Sequence, residues 1–295
     1  MSELTIEIYD ERFHQLIGEN FQLEELFDEA IWAEGPAWSK DAQCLIFSDV
    51  KGNKMYRWQP NKGVSVFRQP SHFANGNAID LAGNLITCEH DRRCISRTDK
   101  QGNSEILVDK IEGKRFNSPN DVIVKSDGTI WFTDPPYGIL SDAEGHKSAS
   151  EIVGCYVYCF DPRTQEVNIA TFNTMRPNGL AFSPDESKLF VADMSAVEFS
   201  HSGLHHLVAF DVEGKYLTQR RTIAEISPGI PDGFCIDNQG VIYCSCDNGL
   251  VILLTDGTLL GRLILGKTVS NCTFGDDQKT LFITASNSLY CLHIK

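Results

Sequence analysis

Six short segments of this chain open on a residue with a side-chain oxygen and run straight into an apolar strand. They are Glu34-Gly35-Pro36-Ala37-Trp38, Asn75-Gly76-Asn77-Ala78-Ile79, Asn120-Asp121-Val122-Ile123-Val124, Asn178-Gly179-Leu180-Ala181-Phe182, Asp232-Gly233-Phe234-Cys235-Ile236 and Ser270-Asn271-Cys272-Thr273-Phe274. Equivalent strands of a repeat closed into a ring would bring these first side chains to one height around one axis. The resulting ring of Glu, Asn, Asn, Asn, Asp and Ser carries two carboxylates and is otherwise neutral, a donor set that suits a hard divalent cation. Glu34, Asn178 and Asp232 supply two charges and a neutral amide oxygen, with Asn120 beside them. Asn also starts strands for local turn reasons, but that reading leaves Glu34 unexplained.

The elements that must position these residues follow the same rhythm. After each first strand comes an Asp- or Gly-containing turn, such as Leu81-Ala82-Gly83-Asn84 or Ser126-Asp127-Gly128, and then a short apolar second strand. Third and fourth strands are visible in most units, as in Lys54–Trp58 with Val64–Arg68 and Cys155–Phe160 with Val167–Phe172. Four antiparallel strands repeated every 38 to 58 residues indicate a β-propeller. The expected fold is all-β: six blades of four strands, with Gln22–Phe27 completing a last blade that otherwise stops at its third strand, Leu289–His293. A short helix is expected at Asp10–Ile17. The domain reading is a single propeller over residues 1–295, with residues 1–21 an extension packed on it.

If the first strand starts on the ring face, the second returns to it, and the loops joining second to third strands lie over the ring. The two longest of these are Pro135–Ser150 and Met194–His205, on the face where the oxygens converge; long loops in compact domains are commonly lids or binding loops. Second-strand ends add an outer collar of Asp49, Glu89-His90, Asp134, Asp193, Cys246-Asp247 and Asn287, read chiefly as hydrogen-bonded loop caps. His90 and Tyr137 are candidate ligand contacts. His201, His205 and His206 cluster on the second lid without metal-ligand spacing.

Bulk properties exclude several classes. The 295 residues carry a formal charge of -14, which disfavours nucleic acid and anionic membrane surfaces as partners. No apolar stretch approaches the roughly 20 residues needed to span a bilayer. The amino terminus is acidic and alternating, unlike a signal peptide. The ten cysteines are read as reduced and mostly buried, without a zinc spacing, and the expected location is cytoplasmic. There is no G-x-S-x-G elbow.

Asn117-Ser118-Pro119-Asn120-Asp121 and Trp131-Phe132-Thr133-Asp134-Pro135-Pro136-Tyr137-Gly138 resemble segments of the bacterial gluconolactonases. So do Ala33-Glu34-Gly35-Pro36, Cys88-Glu89-His90 and Arg176-Pro177-Asn178-Gly179. The wider group is the senescence marker protein-30/gluconolactonase family, related in fold to calcium-dependent diisopropylfluorophosphatases. The resemblance spans about residues 25 to 295. It implies one divalent ion, calcium first and magnesium, manganese or zinc as substitutes, held by Glu34, Asn120, Asn178 and Asp232. It implies Asp232 as acid/base and Asn120 as a metal or substrate contact, and it aligns Arg115 with a substrate-contacting arginine of the animal members.

The expected reaction is metal-assisted hydrolysis of a sugar lactone to the aldonic acid. The ion polarises the ring carbonyl, Asp232 takes a proton from water and returns one to the leaving alkoxide, and Asn75, Asn120 and Arg115 orient substrate hydroxyls. A phosphotriesterase-like hydrolase and a non-catalytic, metal-stabilised binding propeller are the alternatives. The partner is a small-molecule lactone, and the assembly a monomer or homodimer.

Overall fold

The computed structural model describes residues 4–18 and 21–294. Six small antiparallel sheets follow one another around a central axis. Blade 1 comprises Ala33–Ser39, Cys44–Asp49, Lys54–Gln59 and Gly63–Arg68, and blade 2 Ala74–Ile79, Leu85–Glu89, Cys94–Thr98 and Ser104–Val108. Blade 3 comprises Val122–Val124, Ile130–Thr133, Val157–Asp161 and Glu166–Thr171, and blade 4 Pro177–Phe182, Lys188–Asp193, His206–Glu213 and Tyr216–Glu225. Blade 5 has Phe234–Ile236, Val241–Cys246, Gly249–Leu254 and Leu259–Ile264.

Blade 6 has three strands from the end of the chain, Val269–Phe274, Thr280–Ala285 and Ser288–His293. Its outer strand is Gln22–Phe27, paired from Gln22 opposite His293 to Phe27 opposite Leu289. This early-to-late pairing closes the ring as expected and satisfies the hydrogen-bonding edge of Ser288–His293.

One strand was not foreseen. Thr5–Ile8 adds a fifth strand to blade 5, with Thr5 opposite Ile264 and Ile8 opposite Gly261. The helix spans Arg12–Ile17 and turns Phe13 and Ile17 into the apolar layer between blades 5 and 6, against Tyr243, Leu250 and Leu263. Of the amino-terminal extension, residues 1–3, 19 and 20 lie outside the described residues.

The core is divided into layers between neighbouring blades, because each sheet is covered on both faces and its second strand is buried except for a first residue, Lys188 or Thr280, in blades 4 and 6. Ile130–Thr133 and Cys44–Asp49 are buried at every position. Aromatic pairs hold the layers: Trp38 stacks on Phe282 at 5.5 Å between blades 1 and 6, and Trp131 meets Phe182 edge-on at 5.6 Å between blades 3 and 4. Burying a side chain of this size contributes about 1.5–3 kcal/mol. The hairpin turns use Asp carboxylates as local acceptors. Asp80 Oδ1, for instance, takes the N–H groups of Ala82 and Asn84 at 2.9 and 2.8 Å, closing the turn on Gly83 at φ +83°. All ten cysteines are free thiols, and all but Cys235 are buried. No helix among the described residues is long and apolar enough to cross a membrane.

Candidate active site

The six blades are tied to one another beside the ring residues by a hydrogen bond across every junction, four donated at the first strands and two from the second-strand residues Ser48 and Thr133. Ser48 Oγ donates to the Asn75 carbonyl at 2.7 Å, Gly76 N to Asn120 O at 2.7 Å, and Thr133 Oγ1 to Asn178 O at 2.7 Å. Gly179 N donates to Asp232 O at 3.2 Å, Gly233 N to Ser270 O at 2.6 Å, and Ser270 Oγ to Ala33 O at 2.6 Å. The sequence therefore encodes the ring twice: in its oxygen-bearing residues, and in the glycines or hydroxyls that grip the next carbonyl. Glycine is required where backbones touch. A Cβ on Gly76 would stand 2.6 Å from Asn120 O, and one on Gly35, at φ +51°, only 2.1 Å from Asn75 O.

The acidic collar sets the approach to this ring, and its residues act as loop caps. Asp49 Oδ1 accepts the N–H groups of Ile31 and Trp32, both at 3.0 Å, just before Glu34. Asp134 Oδ2 accepts Asn117 N at 2.8 Å before Asn120, and Asp193 Oδ2 accepts Met175 N at 2.9 Å before Asn178. In three blades an Asp at the end of the second strand thus fixes the segment that delivers a ring residue. Glu89 is anchored differently, in a buried cluster with Arg68, Arg92 and Ser96.

Glu34 and Asp232 act on each other across this ring, together with Asp121 and Glu144. Glu34 is buried, and among the described residues its Oε2 accepts only the adjacent Gly35 N, at 2.8 Å. Burial, then the charge of Asp232, pushes its carboxyl well above the usual range. Asp232 keeps some exposure as a residue, but its Oδ1 is shut off from solvent and has no hydrogen-bond partner among the described residues. Burial carries its carboxyl up to about 8, reinforced by the charges of Asp121 and Glu144 and partly offset by the Asn178 amide. Asn178 is buried, and its Nδ2 points at Met194 Sδ, 2.7 Å away. Asn120 is buried, with its backbone N–H on Thr133 O, and among the described residues its side-chain amide makes no hydrogen bond.

A buried and a partly buried carboxylate that repel one another, an orphaned carboxylate oxygen and amide oxygens at the same tier are what a divalent cation would neutralise. Among the described residues no group of three or more His, Cys, Asp and Glu side chains is placed to hold a metal. A cation here would therefore rest on Glu34 and Asp232 together with amide oxygens.

The remaining candidates divide. Asn75 Nδ2 lies 3.4 Å from His90 Nε2, and His90 Nδ1 lies 2.9 Å from the Glu144 carbonyl. Burial lowers the His90 pKa, so the ring is neutral: Nδ1–H donates to Glu144 O and Nε2 accepts from Asn75. Tyr137 places a buried hydroxyl, without a partner among the described residues, where the Asp232 charge reaches it. Arg115 stands apart. It lies exposed on the two-stranded ribbon Lys110–Ile111 and Lys114–Arg115, with Nη2 on Arg92 O at 2.8 Å and its N–H on Glu151 at 2.9 Å, neither of them a ring residue. On the second lid, His205 is held by Ile226 O and Glu225, and His206 stacks on it at 5.9 Å.

Sequence reasoning missed Asp121, Glu144 and Met194. Asp121 sits one tier below the ring beside Asn271, in the opposite wall of the channel, and burial raises its carboxyl to about 7. Its signal was its place directly after a ring residue. Glu144 comes from the first lid, its side chain 3.4 Å from Lys51, and Met194 opens the second. Both lids had been marked, but no periodicity singles out a residue within them.

The profile described as SMP-30/Gluconolactonase/LRE-like region matches residues 32–287, which spans all six ring positions. The chain belongs to this family. A gluconolactonase from Zymomonas mobilis subsp. mobilis is 31% identical, the match covering 97% of this chain and 85% of that protein. A solved structure from Xanthomonas campestris, described as a gluconolactonase important in glucose secondary metabolic pathways, superposes with a TM-score of 0.92. It is 38% identical, over 98% of this chain and 95% of that one. A pentonolactonase from Haloferax volcanii is a more distant relative, 25% identical over 86% of this chain and 81% of its own.

Proposed function

We propose that this member of the SMP-30/gluconolactonase family hydrolyses a sugar lactone to the corresponding aldonic acid, with a divalent cation at the ring. Its relatives named as gluconolactonases align over nearly the whole chain, which supports a hydrolase acting on a carboxylic ester. The observation that carries the finer reading is the meeting of Glu34, Asn178 and Asp232 at one tier, with Asp232 Oδ1 unpartnered among the described residues and out of solvent.

Glu34, Asn178 and Asp232, with Asn120, are the residues that would hold the cation, with calcium suited to their oxygen set. Bound there, it supplies polarisation of the lactone carbonyl and acidifies an adjacent water. Asp232 acts as the acid/base: its carboxylate takes the proton of the attacking water and returns one to the ring oxygen as the ester bond opens. Asn75 and Asn120 present amides to substrate oxygens. The neutral His90 holds the Asn75 amide from behind and ties it to the lid through the Glu144 carbonyl. The lids narrow access to solvent, which strengthens polar contacts inside the site.

The test is a pH-stat panel of aldonolactones on protein stripped by chelation and then reloaded with calcium, magnesium, manganese or zinc. Turnover lost on stripping and restored on reloading is expected. Full turnover by the stripped protein rules out the cation, and no turnover in any form rules out the lactonase reading.

A further inference from the structure

Tyr137 is a side chain the fold takes trouble to fix, yet it leaves the hydroxyl unused. It opens the helical turn Tyr137–Leu140 directly after Pro135-Pro136. That turn is pinned from below: Ser118 Oγ accepts Gly138 N at 2.9 Å and donates to Pro135 O at 2.7 Å, two residues before ring residue Asn120. From the side, Gly138 sits so close to His90 that a Cβ there would be 2.5 Å from His90 Cβ. The phenol is thus rigidly placed, and its oxygen is buried with no partner among the described residues. A buried donor left unmade is costly, so a position like this is kept for a ligand atom or a water.

The charges that act on the phenol are those of Asp232 and Arg176, followed by Cys155 and Asp193. Arg176 lies two residues before Asn178 and is itself held by the second lid. Its Nε bonds Glu198 at 2.6 Å, its Nη1 bonds Met175 O at 2.9 Å, and the Phe199 ring lies 4.9 Å from its Cζ. Among the described residues its Nη2 takes no partner. With Arg115 engaged on the outer ribbon, Arg176 is a guanidinium that directly precedes the ring strand Pro177–Phe182.

Resting on the lactonase reading, we propose that Tyr137, with Arg176 beside it, is the specificity wall that reads the hydroxyl groups of the substrate. The protein then selects polyhydroxylated aldonolactones over unsubstituted lactones of the same ring size. A site built to bond a hydroxyl discriminates sharply against an analogue lacking it, because its own polar groups are left unpaired.

The test compares D-glucono-δ-lactone with δ-valerolactone, two six-membered lactones that differ in their hydroxyls, on wild type and Tyr137→Phe. Loss of one such hydrogen bond should lower kcat/KM on gluconolactone by about 10- to 100-fold, with less than about a threefold change on valerolactone. Arg176→Gln, which leaves the Tyr137 turn intact, should show the same selective loss. Equal losses on both lactones, or none on gluconolactone, overturn the proposal while leaving the lactonase reading intact. A wild type inert on both lactones removes that reading and this proposal with it.

Discussion

Thr133 Oγ1 donates to the Asn178 carbonyl at 2.7 Å and accepts Asp121 N at 3.1 Å, so one hydroxyl joins blade 3 to blade 4 at the height of the candidate cation site. Asn178 is a ring residue, Asp121 directly follows one, and both are buried. Thr133→Val keeps the shape and leaves a buried carbonyl and a buried N–H without this partner, at a cost of about 1–3 kcal/mol. Urea unfolding should show that loss. Lactone turnover should fall further than stability alone explains, because Asn178 is no longer held at its height.

Gly76 is where the ring is tightest. Its Cβ would meet Asn120 O and Asp121 Cα, both at 2.6 Å and both constrained by neighbouring strands. Gly76→Ala should lower the thermal midpoint strongly and abolish activity. At Gly102 a Cβ would meet nothing within 4 Å. There Gly102→Ala should cost only the left-handed backbone strain, about 1–2 kcal/mol, and leave turnover intact. Equal effects at the two positions would contradict the account of the ring.

His90 joins the first lid to the ring through Glu144 O and Asn75. His90→Ala should loosen residues 135–150 and raise KM more than it lowers kcat. Limited proteolysis should then cut within that loop faster than in wild type, while the blades stay resistant.

Asp134 gives the fold a pH dependence of definite sign. Burial carries its carboxyl up to about 7, and the N–H groups of Asn117 and Ser118 and the nearby Arg93 pull it back only in part. Its Oδ1 has no partner, and the Tyr158 phenol also faces it. In the unfolded chain an Asp titrates near 3.9 (about the model-peptide value). Between those two values the folded chain retains a proton that the unfolded chain has lost. The contribution of this group to stability therefore falls as pH rises from about 4 to about 7, and is level on either side. Denaturant titrations across that range should show wild type losing stability relative to Asp134→Asn as pH climbs. A parallel pair of curves would contradict this.

The ring was legible in the sequence because each blade repeats it: an oxygen-bearing residue, then a glycine or small polar residue, then an apolar strand. Closure by Gln22–Phe27 was legible because blade 6 lacks a strand. Thr5–Ile8 was not, since a four-residue alternating segment does not say which sheet edge it will meet. Arg115 was drawn toward the site by its nearness in sequence to Asn120. The chain between them first turns through the Lys110–Arg115 ribbon, and the guanidinium is used on Arg92 O. Glu144 and Met194 reach the site from loops whose paths are fixed by scattered tertiary contacts, among them those to His90 and to Asn178. No spacing rule encodes such contacts.

The central claim is that Glu34, Asn120, Asn178 and Asp232 converge on one cation. Anomalous diffraction from crystals of chelated protein reloaded with manganese tests this directly. A single peak inside the ring, at about 2.0–2.6 Å from carboxylate oxygens of Glu34 and Asp232, is the expected result. A ring without a peak, or a peak bound only elsewhere on the protein, would contradict it.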